Sequence, residues 1–318
     1  MLNRKSKADK QSNVTSKQTN FPEFKIAERQ TTISSAVKFS GIGLHSGKKV
    51  NMILHPGDEN TGIVFKIKND SYSSSIIKAK YSNVSDTKLC TTLTNEDNIS
   101  ISTTEHLLSA LYALNIDNLV VEIDNNELPI LDGSSREYVH LLSDVGKIQQ
   151  NYFRKFIKIK KNINIRHKNS YAKVSPSNDM TISCEINFKT KAIGRQSISF
   201  LLTPSIYKSE ISNARTFGFL DEISDLRKRG LTIGGSLDNA IVISKDKILN
   251  PSGLRFNDEF VRHKALDFIG DISLAGCKIM GSFLTTNGGH FINYALLNKI
   301  IDSKNSWDFV DSNQNPIF

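Results

Sequence analysis

From Thr31 onward, apolar and polar positions alternate with the period of two that a half-buried strand requires, and glycines interrupt the alternation. The pattern predicts strands over Ile33 to Phe39 and Val50 to Leu54, joined by the turn-rich Ser40 to Lys49 as a hairpin with a glycine-rich connection. The glycine spacing matches neither a phosphate loop nor a dinucleotide fingerprint, so a turn is the reading. The period then lengthens. Ser102-Thr103-Thr104-Glu105 precedes the apolar run His106 to Leu114, which predicts a helix behind a capping residue, with Glu105 and His106 in its first turn. Leu119 to Ile123 reads as a strand, and Pro129 to Ser135 as a turn into a second helix from Arg136 to about Val145.

The second half repeats this grammar. Strands are predicted between Phe156 and Ile165, and over Ala172 to Val174, Met180 to Phe188, Ser197 to Leu202 and Asn239 to Ile243. Helical material surrounds Ile223 to Lys228 and Phe260 to Leu274. One alternation occurring twice indicates an α+β fold of two similar domains related by duplication. Polar Lys147 to Asn151 separates the halves, so the boundary is expected between Gly146 and Arg154, giving domains 30–150 and 151–318.

At 318 residues, 38% of them hydrophobic, the chain is long enough to bury two cores. No run approaches the roughly 18 apolar residues of a membrane-spanning helix, so no stable membrane insertion is expected. The formal charge of +9 is unevenly placed: residues 1–30 hold seven basic residues against three acidic ones, a difference of +4. That leader, residues 1–29, is rich in Ser, Lys, Asn and Gln and lacks the apolar core of a secretory signal, so disorder is its default reading. The basic stretch from Arg154 to Lys168 alternates Phe156, Ile157, Ile159 and Ile163 with lysines, which describes amphipathic strands rather than a stacking platform for bases. No nucleic-acid module is visible, and an anionic small substrate accounts for a modest positive field. Cys90, Cys184 and Cys277 are odd in number and widely spaced, which fits a reducing cytoplasm. Cys184 and Cys277 read as small hydrophobes, whereas Cys90 lies in a polar, Thr-rich stretch and could line a site.

The candidate chemistry centres on Phe260 to Asp271. A helix stacks His263, Asp267 and Asp271 along one face at i, i+4 steps, and an imidazole and a carboxylate one turn apart can grip one divalent ion. The same spacing also suits a solvated ion pair. A catalytic zinc needs three protein ligands and a base that does not itself ligate the metal, and Glu105-His106 is the best source of both. Adjacent helix residues point about 100° apart, so His106 could reach an ion while Glu105 stays free to take a water proton. His290 follows Gly288-Gly289; an imidazolium there could donate a proton to a departing amine, with Asp271 as its holder.

Five segments carry a resemblance: Ser102 to Leu111, Pro129-Ile130-Leu131-Asp132-Gly133-Ser134, Ala214-Arg215-Thr216-Phe217-Gly218-Phe219, Phe260 to Asp267, and Gly288-Gly289-His290. In order and spacing, from about Gln30 to about Ile300, the chain resembles the zinc-dependent UDP-3-O-acyl-N-acetylglucosamine deacetylases of lipid A biosynthesis. The resemblance implies Zn2+ held by His106, His263 and Asp267, with Glu105 as general base. It implies His290 as general acid and electrostatic stabiliser, Asp271 as its partner, and Thr216 as a hydroxyl near the developing oxyanion. Lys264 would lie near the substrate's diphosphate and Phe217 against the sugar, with Leu89 also at the substrate. The implied fold has two domains, each a sheet layered on two helices, with the helices packed between the sheets. An insertion at about 218–249 would carry Leu220, Ile223, Leu226 and Ala240 along a passage for the fatty acyl chain; the same residues could equally be an amphipathic helix core.

Two features depart from the family pattern. The basic leader is additional, and Ser46 stands in Gly43-Leu44-His45-Ser46-Gly47 where threonine is usual. The expected function is hydrolysis of the 2-acetamido group of a UDP-linked, 3-O-acylated glucosamine, a lipopolysaccharide precursor, by a cytoplasmic enzyme. Its competitors are a zinc deacetylase of another acylated amino sugar and a non-enzymatic binding protein whose helices carry only ion pairs.

Overall fold

The computed structural model describes residues 27–68 and 74–317. The expected disorder of the leader lies outside the described residues up to residue 26, and Arg29 already begins a strand. The fold is α+β. Its first sheet runs in the order Val37–Ile42, Lys49–Pro56, Leu119–Ile123, Ile63–Lys68, Ser74–Lys78, antiparallel throughout except where Leu119–Ile123 and Ile63–Lys68 lie parallel. Its alternation is the one foreseen: Val50, Met52 and Leu54 point inward, and their neighbours outward. The second sheet has seven strands around Lys278–Thr286, which pairs with Ser170–Ser175 on one side and with Phe156–Ile159 and Met180–Asn187 in parallel.

The main helices lie inside. Helix α1 (Glu105–Ala113) is buried at all nine positions, which its apolar run allows on every face but the one bearing Glu105 and His106. Helix α2 (Arg136–Val145) closes the first half. A short turn, α3 (Pro204–Ile206), and α4 (Leu220–Lys228) precede the long α5 (Glu259–Ser273), and α6 (His290–Asp302) follows the central strand. Helix α5 packs on α1, on α6 and on Met180–Asn187, and one apolar cluster runs through both halves. Among the described residues no helix is long and apolar enough to cross a membrane.

The α1–α5 crossing is close because of one residue. A Cβ on Gly270 would fall well inside contact distance of the Glu105 carbonyl, with the Glu105 carbonyl carbon at 2.8 Å and Cα at 2.9 Å. Glycine therefore brings the face of α5 that bears His263, Asp267 and Asp271 against the first turn of α1.

Several expectations need correction. The strand expected over Ile33 to Phe39 is two, Arg29–Ile33 and Val37–Ile42, broken where the Ser34 amide donates to the Gly146 carbonyl. Arg29–Ile33 pairs not with the hairpin but with Lys147–Phe153, the segment read as a polar separator. That strand is exposed on both faces, so hydrophobic period carries no trace of it. Thr104 occupies the N-cap of α1 without a capping side-chain bond; its hydroxyl donates to the Thr91 carbonyl instead. Strand Lys278–Thr286 and helix α6 were not foreseen. Gly281 breaks the apolar run of that strand, where a Cβ would lie 2.7 Å from Val174 Cγ2.

On an exposed helix, Gly→Ala stabilises by about 1 kcal/mol. Gly270→Ala should have the opposite sign, destabilising by about 1–3 kcal/mol because the added methyl pushes backbone from backbone. Urea unfolding measures it, and a stabilised variant would show that the crossing is not tight.

Candidate metal centre

Helix α5 presents His263 and Asp267 one turn apart, and the α1–α5 crossing carries His106 to them. His263 Nε2 lies 3.2 Å and His106 Nε2 3.8 Å from Asp267 Oδ1. One ligand atom from each of the three residues falls within 4.8 Å of the others, and all three side chains are buried. Zinc bonds of about 2.0–2.2 Å in a tetrahedron place ligand atoms roughly 3.3–3.6 Å apart, so the three fit one ion with little adjustment. Asp267 Oδ1 is buried without a hydrogen bond, an orphan that a cation would satisfy. The His263 Nδ1–H donates to the Ala214 carbonyl at 3.0 Å, which leaves the Nε2 lone pair facing Asp267.

Charge follows the same design. Burial, reinforced by His263, pushes His106 down to about 3, and burial lowers His263, so both imidazoles are neutral and could serve as ligands. Burial works against ionisation of Asp267, yet His263 and the Lys264 ammonium, 3.0 Å from Oδ2, hold its carboxyl well below the usual range. Two imidazoles and one carboxylate form a donor set suited to zinc and to other first-row ions.

Beside this set lies a second one of opposite character. Asp271, a turn beyond Asp267, accepts from the Thr91 hydroxyl at 2.6 Å, the His290 Nδ1–H at 2.8 Å and the Asn293 amide at 2.9 Å. Burial opposes protonation of His290, but Asp271 and Glu105 push it up to about 10, so it is an imidazolium at neutral pH. Its Nε2 lies 3.7 Å from Glu105 Oε1, and Glu105 Oε2 accepts the Thr91 amide at 3.1 Å. Burial pushes Glu105 up to about 7; His290 opposes the rise, and Asp267 and Asp271 add to it. The site thus holds a carboxyl group poised to exchange a proton near neutrality.

The segment Ala214 to Phe219 fastens the third wall. Arg215 and Glu259 form a buried pair, with Arg215 Nε 2.9 Å from Oε1, so the segment is locked to the start of α5. Thr216 is held by its backbone: its amide donates to the Gly133 carbonyl at 2.7 Å and its carbonyl accepts the Ile241 amide at 2.8 Å. Gly133 adopts φ +85 beneath the Asn239 carbonyl, with the Asn239 carbonyl carbon 2.7 Å from where a Cβ would be, so only glycine fits in Asp132-Gly133-Ser134. Phe217 packs edge-on against Phe260 at 5.0 Å between centroids, and the Lys264 ammonium sits 5.4 Å above its ring.

These residues open on a cavity of about 490 Å³ lined by Glu105, His106, Thr216, His263, Asp267 and His290. An apolar passage of about 380 Å³ adjoins it, lined by Leu220, Ile223, Leu226 and Ala240. Leu44, His45, Leu89, Thr216 and Phe217 line both spaces. Cys90 lines the first, as its polar surroundings suggested, and all three cysteines are free thiols. Every site residue singled out in the sequence therefore lies at these two spaces except Asp271, which stands behind His290.

Four contributors were missed: Thr91, Asn293, the Ala214 carbonyl and Gly270. Asn293 stands three residues after His290, a spacing that could have flagged it. The others act through a hydroxyl, a carbonyl and an absent side chain, none of which has a spacing to read.

The sequence profile of the UDP-3-O-acyl N-acetylglycosamine deacetylase family matches residues 30–302, a span that contains every residue placed here. Three proteins named UDP-3-O-acyl-N-acetylglucosamine deacetylase align with the chain over 284 residues. That of Histophilus somni (strain 129Pt) is 42% identical over 89% of this chain and 93% of its own length. That of Pasteurella multocida (strain Pm70) is 42% identical over the same shares, 89% and 93%. That of Haemophilus influenzae (strain PittEE) is likewise 42% identical over 89% and 93%.

Arg215→Met leaves Glu259 buried without its partner and should cost about 3–5 kcal/mol in urea unfolding. Loosening the Ala214 carbonyl behind His263 should also weaken divalent-metal affinity roughly 10–100-fold. Unchanged metal affinity in a folded variant would detach this segment from the ligand set.

Proposed function

The chain belongs to the UDP-3-O-acyl-N-acetylglucosamine deacetylase family, and on that premise we propose that it hydrolyses the N-acetyl group of a UDP-3-O-acyl-N-acetylglucosamine, releasing acetate and a free amine for lipid A biosynthesis. One observation carries the reading: two neutral imidazoles and a carboxylate converge beside a carboxyl poised near neutrality, at the mouth of an apolar passage.

His106, His263 and Asp267 would hold the ion, which we take to be zinc. When bound, it supplies Lewis acidity to the acetyl carbonyl and makes a water acidic enough to attack. Glu105 accepts the proton as the water oxygen bonds to the carbonyl carbon, a transfer its raised pKa suits. The Thr216 hydroxyl and the His290 imidazolium face the oxyanion that develops, and donors fixed in advance count most at that point. As the C–N bond breaks, the leaving nitrogen takes a proton from His290, whose charge Asp271, Thr91 and Asn293 support.

On this reading the substrate spans the two spaces. The sugar packs on Phe217, the diphosphate lies toward Lys264, and Leu89, Leu220, Ile223 and Ala240 receive the 3-O-acyl chain. We further assign residues 30–150 and 151–318 to two domains, with the insertion at about 218–249. A cytoplasmic setting suits three free thiols.

Protein purified without chelator should contain about one zinc per chain. His263→Ala should lose both the ion and acetate release; a variant that keeps both removes the ligand assignment. Glu105→Ala should keep the ion and lose roughly 10²–10⁴ in turnover. Acetate release compared between 3-O-acylated and non-acylated UDP sugars tests the substrate, and a preference for the non-acylated sugar would redirect it.

A further inference from the structure

Glu127 belongs to none of the sets above, yet its carboxylate is buried and points at a loop wall of the active cavity. Oε1 accepts the His45 amide at 2.7 Å and the Thr103 hydroxyl at 3.4 Å, and Oε2 accepts the Ser46 amide at 2.9 Å. Three donors converge on one anion that makes no ion pair with Lys or Arg among the described residues. The loop is shaped to receive it. A Cβ on Gly43 would overlap Glu127 Oε2 and lie 2.8 Å from the carboxyl carbon, so glycine lets the carboxylate sit against the backbone. Thr103 takes φ 58, uncommon outside glycine, and stands two residues before Glu105.

The same loop is gripped from the other half of the molecule. The Leu44 carbonyl accepts the Gly234 amide at 3.0 Å, and the His45 carbonyl accepts the Ile233 amide at 3.1 Å. Gly234 is free of a Cβ where the Gly43 carbonyl crosses, with the Gly47 Cα only 3.1 Å from that position. Leu44 and His45, which line both spaces, therefore hang between a carboxylate on one side and the insertion on the other.

We propose that Glu127 is a positioning residue that clamps the loop Leu44–Ser46, whose Leu44 and His45 wall the apolar passage, to the approach of α1, so that this wall is in register to read the substrate's acyl chain. The proposal rests on the deacetylase reading. A carboxylate is needed because both oxygens face N–H donors. Glutamine would turn an amide N–H toward one of them, setting donor against donor.

The test is Glu127→Gln in the zinc-loaded enzyme, with kcat and KM measured on two UDP-N-acetylglucosamine substrates, one bearing a long 3-O-acyl chain and one a 3-O-acetyl group. The long-chain kcat/KM should fall at least about tenfold. The 3-O-acetyl substrate and zinc content should change little, because the short group does not extend along the apolar passage, where the register of the wall is read. Equal losses on both substrates, or no loss on either, overturn the proposal. Gly234→Ala pushes on the same loop from the opposite side and should reproduce the selective loss if Glu127→Gln does not fold. Wild-type enzyme that releases acetate from neither substrate refutes the deacetylase reading, and the clamp falls with it; wild type active with non-selective variants refutes the clamp alone.

Discussion

The site depends on one contact between backbones. Helix α5 carries His263, Asp267 and Asp271, and α1, far upstream in the chain, carries Glu105 and His106. They meet because Gly270 has no side chain where α5 crosses the Glu105 carbonyl. Helices commonly pack with axes about 8–10 Å apart, a distance set by the side chains at the contact. Removing the side chain at the crossing point lets imidazoles from two helices reach one carboxylate oxygen.

From that closeness follows a division of labour among the histidines. Burial keeps His106 and His263 neutral even though the Asp267 carboxylate lies beside both. His290 enters from α6 against two carboxylates and is charged. Identical side chains in one site are set to opposite states because burial outweighs the Asp267 carboxylate at His106 and His263, whereas Asp271 and Glu105 together outweigh burial at His290. Thr91 joins the two arrangements, donating its hydroxyl to Asp271 and its amide to Glu105, so the orientation of the Glu105 carboxyl and that of the imidazolium share one anchor.

Much of this was legible in the sequence, and for identifiable reasons. The i, i+4 spacing of His263 and Asp267 and the capped, apolar run after Glu105 predicted two helices that the fold contains, and period-two runs such as Val50 to Leu54 became sheet strands. What stayed hidden has a common physical character. Lys147–Phe153 is wet on both faces, and the Ala214 carbonyl is a group every residue possesses. Gly270 reads as a weak point in a helix until its neighbour is known. Spacing could bring His263 and Asp267 together because they share an element; joining them to His106, far upstream on another helix, required a resemblance or a structure.

The buried Arg215–Glu259 pair has a meaning beyond the energy it holds. It ties the start of the segment that contains α4 and strand Ile241–Ser244 to its end, so the excursion between those two residues begins and closes at one fixed point. Closing a longer or shorter loop at a fixed neck changes its entropy only logarithmically. Length and composition of the exposed stretch around α4, which buries no residue, can therefore change at little cost to the neck that Thr216 and His263 flank, whereas Ile241 stays tied to the Thr216 carbonyl. A fold built this way separates what is held constant from what is open to drift: the hydrolytic centre stays fixed, while the shape of the apolar passage can be rewritten.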